Sequence, residues 1–179
     1  MTQDPFGPQA ADSFLMGGGG VTQVFPAVGF RVQLTALSWR MAQQTKMETG
    51  DLLFWNDGRP RMQMVMECQG EATGKTWTTN AYVEKSLDED DGRRNLYVKG
   101  NLQKAIRDGL RDAGMQGPEE GMLLDITRGK SMEPKVRGQQ GAHTFKVVVT
   151  PAAKNPKWAA IKSADAADFL NDTADDSPF

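Results

Sequence analysis

Aromatic and basic side chains occur together in the polar stretches of this sequence. Phe54 and Trp55 lie in a polar segment, residues 43–60, and Tyr97 precedes Lys99 by two residues. Aromatic rings can stack on nucleobases and cations can neutralise phosphates, so the combination favours binding of single-stranded nucleic acid. The residues that we expect to contact DNA are Arg31, Arg40, Lys46, Phe54, Trp55, Arg59, Arg61, Trp77, Arg94, Tyr97, Lys99, Lys130, Lys135 and Arg137.

Each of these residues also has a structural interpretation, in which the ring packs on the body of the protein and the cation is only solvated. For Trp39 we expect a place in the core. The alternation of Met62, Met64 and Met66 predicts that these residues share one core face, with a methionine-rich partner groove as the alternative.

The charged residues are divided unevenly along the chain, although the formal net charge is only -2. Residues 1–20 contain 2 acids and residues 163–179 contain 5, and neither segment has a Lys or Arg. All 21 basic residues therefore lie in 21–162, against the remaining 16 acids, which gives this part a net charge of +5. A basic body with an acidic end is typical of a phosphate-binding domain with an interaction tail, and a soluble domain with solvating ends is the alternative.

Catalytic and metal-binding chemistry have little support in the sequence. The single cysteine, Cys68, excludes an internal disulfide, and with the single histidine, His143, it cannot build a zinc site of the usual Cys/His kind. Cys68 is predicted to be a small strand residue. The acidic run 88–91 is typical of a solvated loop. We therefore expect no enzymatic activity, no cofactor and no metal.

Hydrophobic periodicity predicts the elements that must position the candidate residues. A period of two predicts strands in 30–41, 61–69, 76–83, 94–99, 122–128 and 144–150. The first strand changes phase near Ala36, which predicts a bulge there. A period of 3.6 over 102–113 predicts a helix that Asn101 caps and Gly114 ends.

This order of elements predicts a mainly β protein with a five-stranded OB-type barrel, in which the helix lies between strands 3 and 4. The segment 76–83 is expected to form an extended hairpin projecting from the barrel. The predicted organisation is a flexible arm (1–20), the barrel domain (21–151) and a flexible acidic tail (152–179). In such a barrel, nucleic acid crosses strands 2 and 3 between the loops that join strands 1 to 2 and 4 to 5.

The acidic tail ends with Asp175-Asp176-Ser177-Pro178-Phe179. This ending resembles the acidic tip of bacterial single-stranded-DNA-binding proteins, which typically finishes Asp-Asp-Ile-Pro-Phe, with Ser177 at the isoleucine position. The resemblance implies that the tip recruits replication, recombination and repair proteins, and a tail that only improves solubility is the alternative. The residues expected to bind these partners are Asp172, Asp175, Asp176, Pro178 and Phe179.

The body of the chain has a second resemblance. The segments 96–100 (LYVKG) and 14–17 (FLMG) look like proteins of actinobacterial phages that are associated with single-strand binding. The tetramer of the bacterial family is therefore not implied, and a homo-oligomer stays open. Two other functions are open as well, an RNA-binding or cold-shock-like OB module and a phage adaptor that binds proteins.

The sequence also bears on location. It contains no apolar run of the ~20 residues that cross a bilayer, and its first residues lack the basic start and apolar core of a signal peptide. We therefore expect no membrane association and a cytoplasmic protein, in a bacterium or in an infected host cell.

Overall fold

A computed structural model describes residues 21–46, 49–71, 75–77, 82–84, 90–138 and 141–163 of the chain. The predicted arm and the acidic tip lie outside these residues. The fold is mainly β, with two helices and an open sheet of five antiparallel strands that a short parallel strand extends at one edge. The elements are β1 (Val21–Thr22), β2 (Arg31–Gln43), β3 (Met62–Gln69), β4 (Lys75–Trp77), β5 (Tyr82–Glu84), β6 (Arg93–Val98), α1 (Gly100–Asp112), β7 (Leu123–Ser131), β8 (His143–Thr150) and a second helix, α2, over 156–163.

The long strand β2 connects the two halves of the main sheet. The strand order is β1-β6-β3-β2-β7-β8, in which β1 pairs parallel with β6 and the other pairs are antiparallel. The first part of β2 pairs with β7 and the second part with β3, and the register shifts between Ala36 and Ser38. The predicted bulge is confirmed. A bulge bends its strand and increases the twist, so the sheet turns at this position.

The strands β4 and β5 form a separate two-stranded hairpin. The segment 76–83, which we predicted as one strand and as part of a projecting hairpin, thus contributes to two paired strands, and β4 also lies close to β1.

The core lies between the sheet and α1. Leu34, Met66, Leu96 and Leu124 are fully buried, and Leu102 and Ile106 pack on them from α1. Gly109 allows α1 to approach β8 closely, because a Cβ at this position would lie 2.9 Å from the carbonyl oxygen of Val147. The α1 helix thus covers the sheet on the β8 side.

The helix prediction is correct in extent, but its N-cap was assigned to the wrong residue. The helix begins at Gly100, and Lys99 occupies the N-cap position. Asn101 instead donates a hydrogen bond from Nδ2 to the backbone oxygen of His143 at 2.8 Å. At the other end Gly114 has a φ of 73°, a left-handed conformation that ends the helix as predicted.

The folded body extends beyond the predicted boundary at residue 151. Asn155 is buried, and its Nδ2 donates to Thr35 Oγ1 at 3.1 Å and to the oxygen of Gly121 at 2.8 Å. The α2 helix follows, and its Trp158 ring lies against Gly121. Residues 152–163 are therefore part of the body, and the predicted flexible tail is too long by this segment.

Replacing Gly121 by alanine should test this contact. Gly121 has a φ of 87°, and a Cβ there would lie 2.4 Å from the Trp158 ring. Gly29→Ala is the matched control, because Gly29 has a φ of 85° but open space around it. We expect Gly121→Ala to lower the free energy of unfolding by about 1 to 3 kcal/mol more than the control, as overpacked cores do. Equal losses in urea denaturation would mean that α2 does not pack on Gly121.

Candidate nucleic-acid interface

The connection between β2 and β3 folds as two small hairpins rather than as an irregular loop. Thr45 pairs with Leu52 in the first, and Phe54 pairs with Pro60 in the second. Gly58 closes the second hairpin with a φ of 83°, and its N–H donates to the oxygen of Trp55 at 2.9 Å. This backbone pairing holds Phe54 and Trp55 in a defined position at the tip of the β2–β3 connection.

Both aromatic side chains at this tip are half exposed, with 51% of Phe54 and 54% of Trp55 accessible to solvent. The guanidinium carbon of Arg61 lies 4.5 Å from the centroid of the Trp55 ring. The cation covers part of the ring by a cation–π contact and leaves the rest exposed. An exposed ring with a cation beside it can stack on a base while the cation meets a phosphate.

A second group of candidate residues forms a row across β2, β3 and β6. Arg40 and Tyr97 each pair in register with Val65, so the three residues lie on the same face of the sheet. Arg40 is exposed and Tyr97 is half-buried, and the exposed Lys99 follows β6 directly. This face is opposite to the core face of Leu96 and Val98.

The tip of the β2–β3 connection and the row of Arg40, Val65 and Tyr97 lie on one surface. The N–H of Gln44 donates to the oxygen of Arg61 at 2.7 Å, which continues the β2–β3 pairing beyond β3. Arg61 precedes Val65 by four residues, so it lies about 13 Å further along the same face. A single strand of a few nucleotides can span this distance.

This surface also contains two buried polar atoms, one of them on Gln63, a residue that the sequence did not indicate. The Nε of Arg61 and the Oε1 of Gln63 are buried, and within the described part of the chain neither has a hydrogen-bond partner. Gln63 is only 9% exposed and lies between Arg61 and Val65. Buried polar groups without a partner are unfavourable, and a ligand could bond these two atoms only after the side chains move, because they have almost no accessible surface.

The loop between β7 and β8 supplies further cations. Lys130, Lys135 and Arg137 are exposed, as predicted from their positions in a basic loop. The loop is closed tightly at its base, where the N–H of Met132 donates to the oxygen of Ala142 at 2.8 Å. The loop can therefore present positive charge beside a bound strand.

Several predicted DNA contacts already have an acidic partner. Arg59 donates to Asp57, and Arg31 forms a two-pronged ion pair with Asp125. The hydrogen bond from Arg31 is the main reason why the pKa of Asp125 is lowered. Both arginines are exposed, so an approaching phosphate would compete with these carboxylates for them.

Arg94 is a correction to the predicted set. Its side chain is 8% exposed and its guanidinium donates to both carboxylate oxygens of Asp90 at 2.8 Å. The cause is the phase of β6, which places Arg94 on the core face with Leu96 and Val98. We therefore omit Arg94 from the candidate interface.

The predictions for Trp39 and Met62 are also corrected. Trp39 is 38% exposed and Met62 is 45% exposed, whereas Met66 is fully buried as expected and Met64 is partly buried. The β2–β3 ribbon extends past the core, so residues of its inward face become exposed near the tip. Met41, which is 58% exposed, was not considered as a surface residue and joins them.

The remaining candidates are placed as follows. Lys46 is exposed in the first small hairpin, and Trp77 lies in β4 opposite Tyr82. The tail residues 172–179 lie outside the described residues.

Cys68 is buried. Burial, and to a smaller extent the charge of Glu67, raises the pKa of its thiol to about 12. The thiol is therefore unsuited to nucleophilic chemistry.

Comparisons of the chain with models of protein families, with curated proteins and with solved structures find no match. In the part of the chain that the structure describes, no three His, Cys, Asp or Glu side chains are grouped so that they could hold a metal ion. The helices of the described residues are all too short or too polar to cross a membrane.

Proposed function

We propose that the protein binds single-stranded DNA with little sequence preference, on the surface of an OB-type barrel made of β2, β3, β6, β7 and β8. Three observations support the barrel. The long strand β2 pairs with both β3 and β7, and α1 follows β6, as the helix of an OB-type barrel follows its third strand. The N–H of Gln23 donates to the backbone oxygen of Asn95 in β6, and the ring centroids of Phe25 and of Phe145 in β8 are 5.1 Å apart. The segment after β1 thus links β6 to β8.

The observation that carries the function is the exposed Trp55 with Arg61 at 4.5 Å, on the same face as the row of Arg40 and Tyr97. Rings for stacking and cations for phosphates occur there together. In an OB-type barrel this is the face that nucleic acid crosses. The contacts are to base faces and phosphates, which all sequences share.

Titration with oligo-dT, followed by tryptophan fluorescence, tests the proposal. We expect quenching, and we expect the logarithm of the association constant to fall with the logarithm of salt concentration with a slope of about -2 to -6, because about three to eight cations would displace counterions from a single strand. A Trp55→Phe variant should lose most of the quenching but little affinity. Absence of both quenching and a gel shift at low salt would refute DNA binding.

The same oligonucleotide titration distinguishes two alternative functions. An RNA-binding module would prefer oligo-U over oligo-dT of equal length. A protein-binding adaptor is favoured by the exposed apolar side chains of Trp39, Met41 and Met62, and it would bind neither oligonucleotide.

We further propose that residues 172–179 recruit replication, recombination or repair proteins. An aromatic residue can fill an apolar pocket while neighbouring carboxylates meet a basic rim. This role rests on the residues of the tail and is independent of the DNA surface on the body.

Deletion of residues 171–179 should separate the two roles. We expect capture of a replication or recombination protein to be lost, and Phe179→Ala alone to have the same effect. DNA binding should be unchanged or stronger at low salt, because the removed acids compete with phosphate for the basic body. Loss of DNA affinity would instead assign the tail to the DNA site, and unchanged capture would refute the recruiting role.

A further inference from the structure

A cleft of about 350 Å³ opens between β6 and β8, next to the start of α1. Its size falls within the range of small-molecule sites. Phe25 and Phe145 supply apolar walls, and Tyr97, Lys99 and His143 supply polar groups. An aromatic wall with a few polar groups at its edge suits a planar, polar ring such as a nucleobase.

The hydrogen bonds of His143 determine which of its ring nitrogens can serve a ligand. Nδ1 lies 3.1 Å from Nη2 of Arg128 and 3.0 Å from Oγ of Ser131. An arginine can only donate, so Nδ1 is the acceptor and the neutral ring carries its proton on Nε2. The backbone oxygen of His143 is held by Asn101. His143 is thus fixed at the cleft with Nε2–H as a donor, which suits a carbonyl or phosphate oxygen.

The charge at the cleft favours an anion. Lys99 is exposed at its edge, and none of the described residues that line it is acidic. The adjoining first turn of α1 has neither an acidic residue nor a side-chain cap, so it adds a positive potential. The apolar walls and this charge together match a nucleotide, whose base is aromatic and whose phosphate is anionic.

We propose that this cleft binds one nucleotide, with the base between the apolar walls and the phosphate near Lys99. Tyr97 and Lys99 belong both to the cleft and to the surface described above, so a strand crossing that surface could insert one base here. The role within a strand rests on the proposed function, whereas binding of a mononucleotide does not.

Titration with dTMP, thymidine and inorganic phosphate, followed by nuclear magnetic resonance, tests the cleft directly. We expect dTMP to shift the signals of Gly100, Asn101 and the His143 ring, and to bind more tightly than either fragment. Phosphate that binds as tightly as dTMP would overturn the base site. Thymidine that binds as tightly would overturn the phosphate site, and unshifted signals would overturn the whole proposal.

A blocking substitution provides the second test. Ala142 lines the cleft and is exposed, so Ala142→Trp should fill the cleft, and Ala153→Trp at an exposed site elsewhere is the control. We expect Ala142→Trp to weaken dTMP binding by about 5- to 150-fold, the equivalent of one stacked base, and the control to have no effect. Lys99→Gln should weaken binding of dTMP but not of thymidine, and it keeps the test valid if the tryptophan variant fails to fold.

Oligo-dT distinguishes failure of the cleft from failure of the proposed function. Wild-type protein that binds oligo-dT but not dTMP, with an unchanged oligo-dT affinity in Ala142→Trp, would overturn the cleft and retain the DNA surface. Protein that binds dTMP but not oligo-dT would retain the cleft as a nucleotide site and overturn the proposed function.

Discussion

Replacing Arg94 by methionine should lower the free energy of unfolding by about 3 to 5 kcal/mol, because it removes one partner of a buried ion pair. The side chain of Asp90 is 1% exposed, and its carboxylate accepts two hydrogen bonds from Arg94 and one from the N–H of Gly92. Without the guanidinium, a buried negative charge would lose its main compensation. Urea denaturation of the wild-type and variant proteins measures the difference.

Two further variants show whether the loss comes from burial. Arg111→Met breaks an ion pair with Asp108 whose side chains are 70% and 45% exposed, so we expect a loss of less than about 1 kcal/mol. The double variant Asp90→Asn with Arg94→Met removes both charges and retains an acceptor for Gly92, so it should recover part of the stability. A stable Arg94→Met protein with reduced affinity for oligo-dT would instead restore Arg94 to the DNA contacts.

The phase of β6 explains what the sequence could and could not predict about such residues. Leu96 and Val98 alternate with Tyr97, and this pattern was sufficient to predict the two faces of the strand. The same pattern places Arg94 on the core face, so its burial was within reach of the sequence. The burial of Arg94 was missed because an arginine is by itself typical of a solvent-exposed position. Its partner Asp90, moreover, lies in an acidic run that is typical of a solvated loop.

Other features depend on contacts that no local pattern contains. The exposure of Trp39 and Met62 follows from how far the β2–β3 ribbon extends beyond the core, and periodicity indicates a face but not what covers it. The docking of residues 152–163 depends on Trp158 meeting Gly121, which is far away in the sequence. The strands, the bulge and the helix, by contrast, each follow from a repeat within a single segment.

For the candidate surface, too, some features follow from the local sequence and others depend on how the chain folds. The sequence predicts which rings and cations are available, because residue types are sufficient for that. The position of Arg61 over Trp55, however, depends on the pairing of Phe54 with Pro60 and on the turn at Gly58. A polar segment with a turn signal does not specify this two-hairpin geometry.

The double variant Trp55→Ala with Tyr97→Ala should weaken binding of oligo-dT by about 2 to 6 kcal/mol, because each ring would lose a stacked base worth about 1 to 3 kcal/mol. The two losses should be nearly additive, since the strand geometry separates Arg61, which holds Trp55, from the row of Tyr97 by about 13 Å. Fluorescence anisotropy of labelled oligo-dT at fixed salt measures the loss, and the single variants measure its parts.

Conservative variants identify the cause of that loss. Trp55→Phe with Tyr97→Phe keeps both rings, so it should retain most of the affinity, whereas Val148→Ala removes an exposed apolar side chain from β8 and should have no effect. Trp55 is half exposed and Tyr97 is half-buried, so melting temperatures must accompany the affinities. If the alanine variants melt much earlier but bind with unchanged affinity when folded, the rings support the fold. If affinity falls while the melting temperature is retained, the rings stack on DNA.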